Sequence, residues 1–157
     1  MKIYIGADHA GFGLKEKLVK YLTDLGYEVS DQGALTLDQN DDYPDFVRPV
    51  ALAVIKEKDS FGIVIGASGQ GEAMCANRVK GIRCATYYGR TGTQIDQSGH
   101  ELDMVASMRL HNDANMISLG ARFIGEDEAK QIVKKFLETN FSNEERHIRR
   151  INKLDQF

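Results

Sequence analysis

Three short apolar runs, KIYIG (2–6), FGIVIG (61–66) and NMISLGA (115–121), each reach a glycine at or near their ends. Runs of this length, apolar on successive rather than alternate residues, read as strands covered on both faces. YEVSDQG (27–33) and GIRCATYY (81–88) supply two further strands. Helical spacing fills the intervals. Leu14, Leu18, Leu22 and Leu25 recur on one stripe, with Gly26 where a C-cap glycine belongs. Pro44 is suited to a first helical turn, and Val47, Val50, Ala51 and Val54 follow on one side. Further helices are expected over about 69–79, over EDEAKQIVKKFLE (126–138), and over about 143–154 at the end of the chain.

Strands alternating with helices predict an α/β fold: a three-layer α/β/α sandwich around a five-stranded parallel sheet, Rossmann-like, with the first strand central. Open parallel sheets bind ligands outside the carboxyl ends of their strands. GADHAG, GASGQGE, YYGRTGT and SLGARFIG all fall at such ends, so the edge they form is the expected site.

The 157 residues suffice for one domain with its own core, and the net charge of -3 argues against a dedicated nucleic-acid binder. No apolar run is long enough to span a bilayer, and MKIYIGADHAG meets an acid and a glycine too early for a signal peptide. Two cysteines without a CxxC pattern give neither a disulfide framework nor a zinc site. A cytoplasmic protein is expected.

GASGQGE runs from a strand into a helix, and Gly66, Gly69 and Gly71 allow a ligand close to the backbone. It lacks the Gly-Lys-Ser/Thr of a Walker loop and does not fit a dinucleotide fingerprint. Glu72 in the first turn either complements the helix dipole or does chemistry. A helix N-terminus favours its carboxylate, so basicity is expected to rise only when substrate closes the site. Asp8 and His9 could relay protons and bind substrate; alternatively Asp8 caps the next helix and His9 is a surface residue. His111 and Asn112 lie in a polar loop. Arg146 and Arg150, at i and i+4 with His147 between them, share a face that could grip a dianionic phosphate or simply be solvated. Cys75 and Cys84 read as structural. No His/Asp/Glu set clusters at metal-ligand spacing, apart from Asp96, His100 and Asp103 if that stretch is helical.

GADHAGFGLK, DDYPDF, GASGQGEAMCANRVKGIRCA, HNDANMISLGAR and RHIRRI stand in one order over nearly the whole chain. Together they resemble the ribose-5-phosphate isomerase type B family, which includes galactose- and allose-6-phosphate isomerases. One branch of that family takes its proton with a cysteine at the end of the third strand. Gly66 occupies that place here, and Glu72 matches the base of the other branch. The resemblance implies aldose–ketose isomerisation through a cis-enediolate, with no cofactor and no metal. Glu72 would move the proton between C2 and C1. Ser68 and the backbone N–H groups of Gly69 to Glu72, Gly71 among them, would stabilise the developing oxyanion. His111, assisted by Asn112, would open the sugar ring, and Asp8 would hold or shuttle hydroxyl protons. His9, Arg122, Arg146 and Arg150 would bind the phosphate, with His147 a lesser candidate. The same resemblance implies a homodimer, or a tetramer of dimers, with His111 and Arg122 reaching into the partner's site.

Residues 89–110 form a longer connection than the family's usual one, expected beside the site. Its later half reads as a helix buried through Leu102, Val105 and Met108. It is either a surface or dimer element, or a lid in which Arg90, Gly92 and Thr93 reshape the pocket. Ribose 5-phosphate is the expected substrate. A hexose or tetrose phosphate, a catalytically silent sugar-phosphate-binding subunit, or a nucleic-acid contact through RHIRR are the alternatives.

Overall fold

The structure is a computed structural model, and it describes every residue except 88, 91, 93, 96–98, 100 and 157. In chain order the elements are β1 (Lys2–Ala7), α1 (Phe12–Asp24), β2 (Glu28–Asp31), α2 (Pro44–Lys56), β3 (Phe61–Gly66), α3 (Gln70–Ala76), β4 (Cys84–Tyr87), β5 (Gln94–Ile95), β6 (Glu101–Leu102), α4 (Met104–Leu110), β7 (Met116–Gly120), α5 (Glu126–Glu138) and α6 (Glu145–Ile151). Five parallel strands pair in the order β2-β1-β3-β7-β4, while β5 and β6 form a separate antiparallel ribbon. The expected three-layer sandwich is therefore present. Its middle strand is β3; β1, expected at the centre, is the second strand.

Side-chain alternation along the buried strands decides which helices cover which face. Ile3, Ile5, Ile63, Ile65, Ile117 and Leu119 point into one core with Leu18 and Leu22 of α1 and Val133 and Phe136 of α5. Tyr4, Val64 and Met116 face the other way, against Val47, Val50, Ala51 and Val54 of α2 and Ala73 and Ala76 of α3. β3 and β7 are buried almost throughout because both faces are covered, whereas the edge strand β2 is not. α1 ends as its sequence predicts: the Gly26 N–H donates to Thr23 O at 2.9 Å and the Tyr27 N–H to Leu22 O at 3.1 Å.

The segment over 89–110 departs from expectation in two ways. Val105 and Met108 are buried in α4, but Leu102 sits in β6 and is 36% exposed. The segment also leaves the carboxyl end of β4 and returns through α4, against α5, to the amino end of β7. Among its described residues, Glu101 to Val105 come back beside Tyr87 and Arg90 and line one groove with them at the carboxyl end of β4. There Arg90 Nη2 donates to Gln131 Oε1 of α5 at 3.1 Å, while Thr93 lies outside the described residues.

Lys15, in the first quoted motif, is fully buried although nothing in its sequence context marks it. Its ammonium pairs with Asp31 of β2 and lies 2.9 Å from Glu16 Oε1. Asp31 in turn accepts the Gly33 N–H at 2.9 Å, so this ion pair ties α1 to the loop leaving β2. Removing one member of a buried pair strands the other charge. Lys15→Ala is expected to lower stability by about 3–5 kcal/mol, read as a shift in the urea midpoint at unchanged slope.

Candidate active site at the carboxyl edge

The carboxyl ends of β1, β3 and β7 lie side by side, with Ala7 level with Ile65 and Gly66 level with Gly120. Above them the Gly69 carbonyl is held by two donors, the buried Ser118 hydroxyl at 2.6 Å and the Ala73 N–H at 3.1 Å. Gly69 adopts φ 76°, a left-handed turn that starts α3 immediately over the strand ends. Ser68 Oγ accepts the Gln70 N–H at 3.3 Å within this loop.

Glu72 then folds back onto the end of β3. A Cβ placed on Gly66 would fall 1.8 Å from Glu72 Oε1 and 2.1 Å from its Cδ, so a side chain at 66 and this carboxylate exclude each other. The side chain is buried, with Glu72 only 5% exposed. Burial pushes its carboxyl above the usual glutamate value. A backbone N–H opposes this, and the neighbouring negative charge of Asp8 adds to it. This corrects the expectation from sequence that only substrate closure raises its basicity: desolvation already outweighs the helix terminus in the free chain.

Asp8 is buried beside it, and its Oδ1 accepts the N–H groups of Ala10 at 3.0 Å and Gly11 at 3.2 Å. It therefore closes the turn before α1, whose cap is Gly11. His9 is not a free surface residue. Asp41 Oδ1 accepts its backbone N–H at 3.0 Å and lies 2.7 Å from its Nδ1. This hydrogen bond holds the imidazole pKa up, against burial and against the nearby Arg122. Arg122 is exposed at the same edge, its N–H donating to Ala67 O at 3.1 Å. The ring of Tyr43 lies against Gly71, where an added Cβ would be 3.0 Å from Tyr43 Cζ.

Two residues here escaped the sequence reading. Asp41 and Tyr43 belong to the stretch DDYPDF, where Pro44 drew attention to the helix start rather than to the side chains before it. The fold also assembles a ligand-type set that spacing did not show: atoms of Asp8, His9 and Asp41 lie within 4.8 Å of one another. Asp8 and Asp41 already accept hydrogen bonds from the loop and from His9. The other metal alternative dissolves in part, because Asp103 caps α4 through the Ala106 N–H at 2.8 Å and pairs with Lys135. Asp96 and His100 lie outside the described residues.

The remaining expected residues gather elsewhere. His111 caps α4 at the amino end of β7, where Met116 is level with Gly62 and Cys84. The strand itself separates this edge from the other by roughly 13 Å, at about 3.3 Å per residue. His111, Asn112, His147 and Arg150 line one groove of about 280 Å³ there. His147 is buried, its ring centroid 4.7 Å from that of His111 and its Nδ1 3.0 Å from Ser142 Oγ. Burial lowers its pKa, which favours a neutral ring supporting His111 over a phosphate ligand. Arg146 is exposed and donates to Glu144 at 2.7 Å. His111 and Arg122 thus stand at opposite ends of β7 rather than together. Cys84 is buried and its thiol held far above the ordinary range, and burial raises Cys75 as well, so neither is an activated nucleophile.

Known proteins are similar to this chain over nearly its whole length. A family model described as Ribose/Galactose Isomerase matches residues 3–154. Ribose-5-phosphate isomerase B of Mycobacterium tuberculosis is 39% identical over 157 residues, covering 100% of this chain and 90% of its own. The crystal structure of a ribose 5-phosphate isomerase from Thermotoga maritima superposes with a TM-score of 0.86 at 38% identity, covering 99% of this chain and 98% of that one. Ribose-5-phosphate isomerase B of Mycoplasma genitalium, solved with bound ribulose-5-phosphate, gives 0.85 at 36% identity, covering 99% and 94%. A match that runs from β1 to the turn after α6, at this identity, leaves one conclusion: the chain belongs to the ribose/galactose isomerase family.

Proposed function

We propose that the chain is a sugar-phosphate aldose–ketose isomerase that interconverts ribose 5-phosphate and ribulose 5-phosphate, with Glu72 as its base. The observation that carries this reading is the buried Glu72 carboxylate over Gly66, its pKa raised, with Asp8 and His9 beside it. Glu72 takes the C2 proton of the open-chain aldose, and the electron pair moves toward the C1 carbonyl to give a cis-enediolate. O2 gives up its proton as O1 gains one, and Glu72 returns its proton to C1, leaving the ketose. Ser68 and the N–H groups from Gly69 to Glu72 face the developing oxyanion. Asp8 holds the sugar hydroxyls. His9 and Arg122 bind the phosphate from the same chain. The proposed enzyme is one cytosolic domain over 1–157, with 89–110 an inserted segment. Among the described residues, no helix is long and apolar enough to cross a membrane.

His111, Asn112, Arg146 and Arg150 lie at the opposite edge from Glu72, so one chain cannot close the site alone. We assign ring opening and the remaining phosphate contacts to the amino edge of a second copy in a homodimer. Arg122, at the Glu72 end of β7, stays with its own chain in this arrangement.

Proton NMR of the protein with ribose 5-phosphate in deuterated water tests the reaction. Wild type should form ketose carrying solvent deuterium at C1, with deuterium at C2 of the ribose 5-phosphate re-formed by the reverse reaction, and Glu72→Gln should lose both by at least about a thousandfold. A folded wild type that gives neither product nor exchange would remove ribose 5-phosphate as substrate. Mixing inactive Glu72→Gln with inactive His111→Asn after subunit exchange tests the shared site. Activity should return to roughly a quarter of wild type, the share of intact sites in randomly formed dimers; no recovery would place both residues in one chain's site.

Stability should follow the Glu72 ionisation. A carboxyl whose folded pKa lies above its unfolded value favours folding when protonated, and this contribution is lost as pH rises through the folded pKa. Glu72→Gln is therefore expected to melt higher than wild type at pH 7.5, with the difference vanishing below the ordinary glutamate value of 4.5. Thermal unfolding at the two pH values measures it.

A further inference from the structure

The loop between β2 and α2 brings to the phosphate end of the site a carboxylate that the reaction above does not use. The Asp41 side chain is only 8% exposed. Both hydrogen bonds to its Oδ1 come from His9, one from the backbone N–H at 3.0 Å and one from the ring at 2.7 Å. Its Oδ2 is buried with no hydrogen-bond partner among the described residues. Burial of a carboxylate is costly, and a mere loop tie would be served as well by a neutral acceptor. Here the charge is directed at a single imidazole.

We propose that Asp41 is a positioning residue, which holds the backbone and ring of His9 through one oxygen so that Nδ1–H points inward and Nε2–H is presented to the substrate phosphate. The proposal rests on the sugar-phosphate reading of this edge. A carboxylate on one imidazole nitrogen sets the tautomer and strengthens the other nitrogen as a charged donor. The charged groups around His9 act in both senses: Asp41 and Asp8 favour the imidazolium, while Arg122 and burial oppose it. Without Asp41 the balance tips toward a neutral ring, which is a weaker partner for a dianion.

Asp41→Asn retains the shape and an acceptor oxygen but removes the charge. Near pH 7.5 it should raise KM for ribose 5-phosphate about tenfold, with kcat within about twofold. Relative to wild type, this gap should shrink as pH falls and the imidazole of the variant takes up its proton. The NMR titration of the His9 ring should move to lower pH. In a His9→Ala background, adding Asp41→Asn should change KM by less than about twofold, because the effect runs through the imidazole. An equal KM effect with and without His9, an unchanged KM, or a loss of kcat at every pH would overturn the proposal. If the wild type does not turn over ribose 5-phosphate, the functional reading fails separately, and inorganic phosphate becomes the probe. Weaker phosphate binding in Asp41→Asn, dependent on His9, would then support the role, and equal binding would overturn it.

Discussion

The Glu72 carboxylate and a side chain at residue 66 compete for one volume, and the glycine at the end of β3 yields it to the acid. The rest of the carboxyl edge is arranged around that exchange. Ser118, buried on the neighbouring strand, holds the Gly69 carbonyl. The left-handed turn at Gly69 starts α3 close over the sheet, and the first turn of α3 drops Glu72 back onto β3. The acid is caught between opposing effects. A helix N-terminus stabilises a carboxylate by about 0.3–1 kcal/mol, while removal from water penalises the charge more heavily. With Asp8 adjacent and solvent largely excluded, desolvation prevails and the group is shifted toward basicity.

A parallel sheet has two unlike edges, and this chain places complementary chemistry on each. The carboxyl edge carries the acid, the buried Asp8 and the Asp41–His9 pair. The amino edge carries His111 over His147, with Arg150 along the same groove. Each set is held by packing that serves the fold as well: α4 delivers His111 at its C-terminus, and the strands fix how far apart the edges lie. In the functional reading a second copy supplies what each edge lacks, which makes assembly and catalysis one requirement.

The sequence was informative where a pattern is local. Apolar runs located the strands, and the Leu stripe with Gly26 located α1 and its end. The bounds of α5 match EDEAKQIVKKFLE. Glycine spacing also marked the loop that holds Ser68, Gly69 and Glu72. Local pattern failed where the partner is distant in the chain. Nothing in the sequence marked Lys15, which is fully buried, because its partner Asp31 lies on another element. The sequence left His9 open between a surface residue and a substrate contact, because Asp41 comes from a loop 32 residues away. Leu102 looked like part of a buried helical face but belongs to an exposed ribbon.

By itself, then, the sequence determined the three-layer α/β class and, through five motifs in order, the family. Hydrophobic periodicity, glycine placement and motif order are properties of the chain read along its length. Only the tertiary structure decided which side chains meet. It set Glu72 over Gly66, joined Asp41 to His9, and stationed His111 and Arg122 at opposite ends of β7. Those relations depend on strand order and register, and in a parallel sheet both are set by packing between residues far apart in sequence.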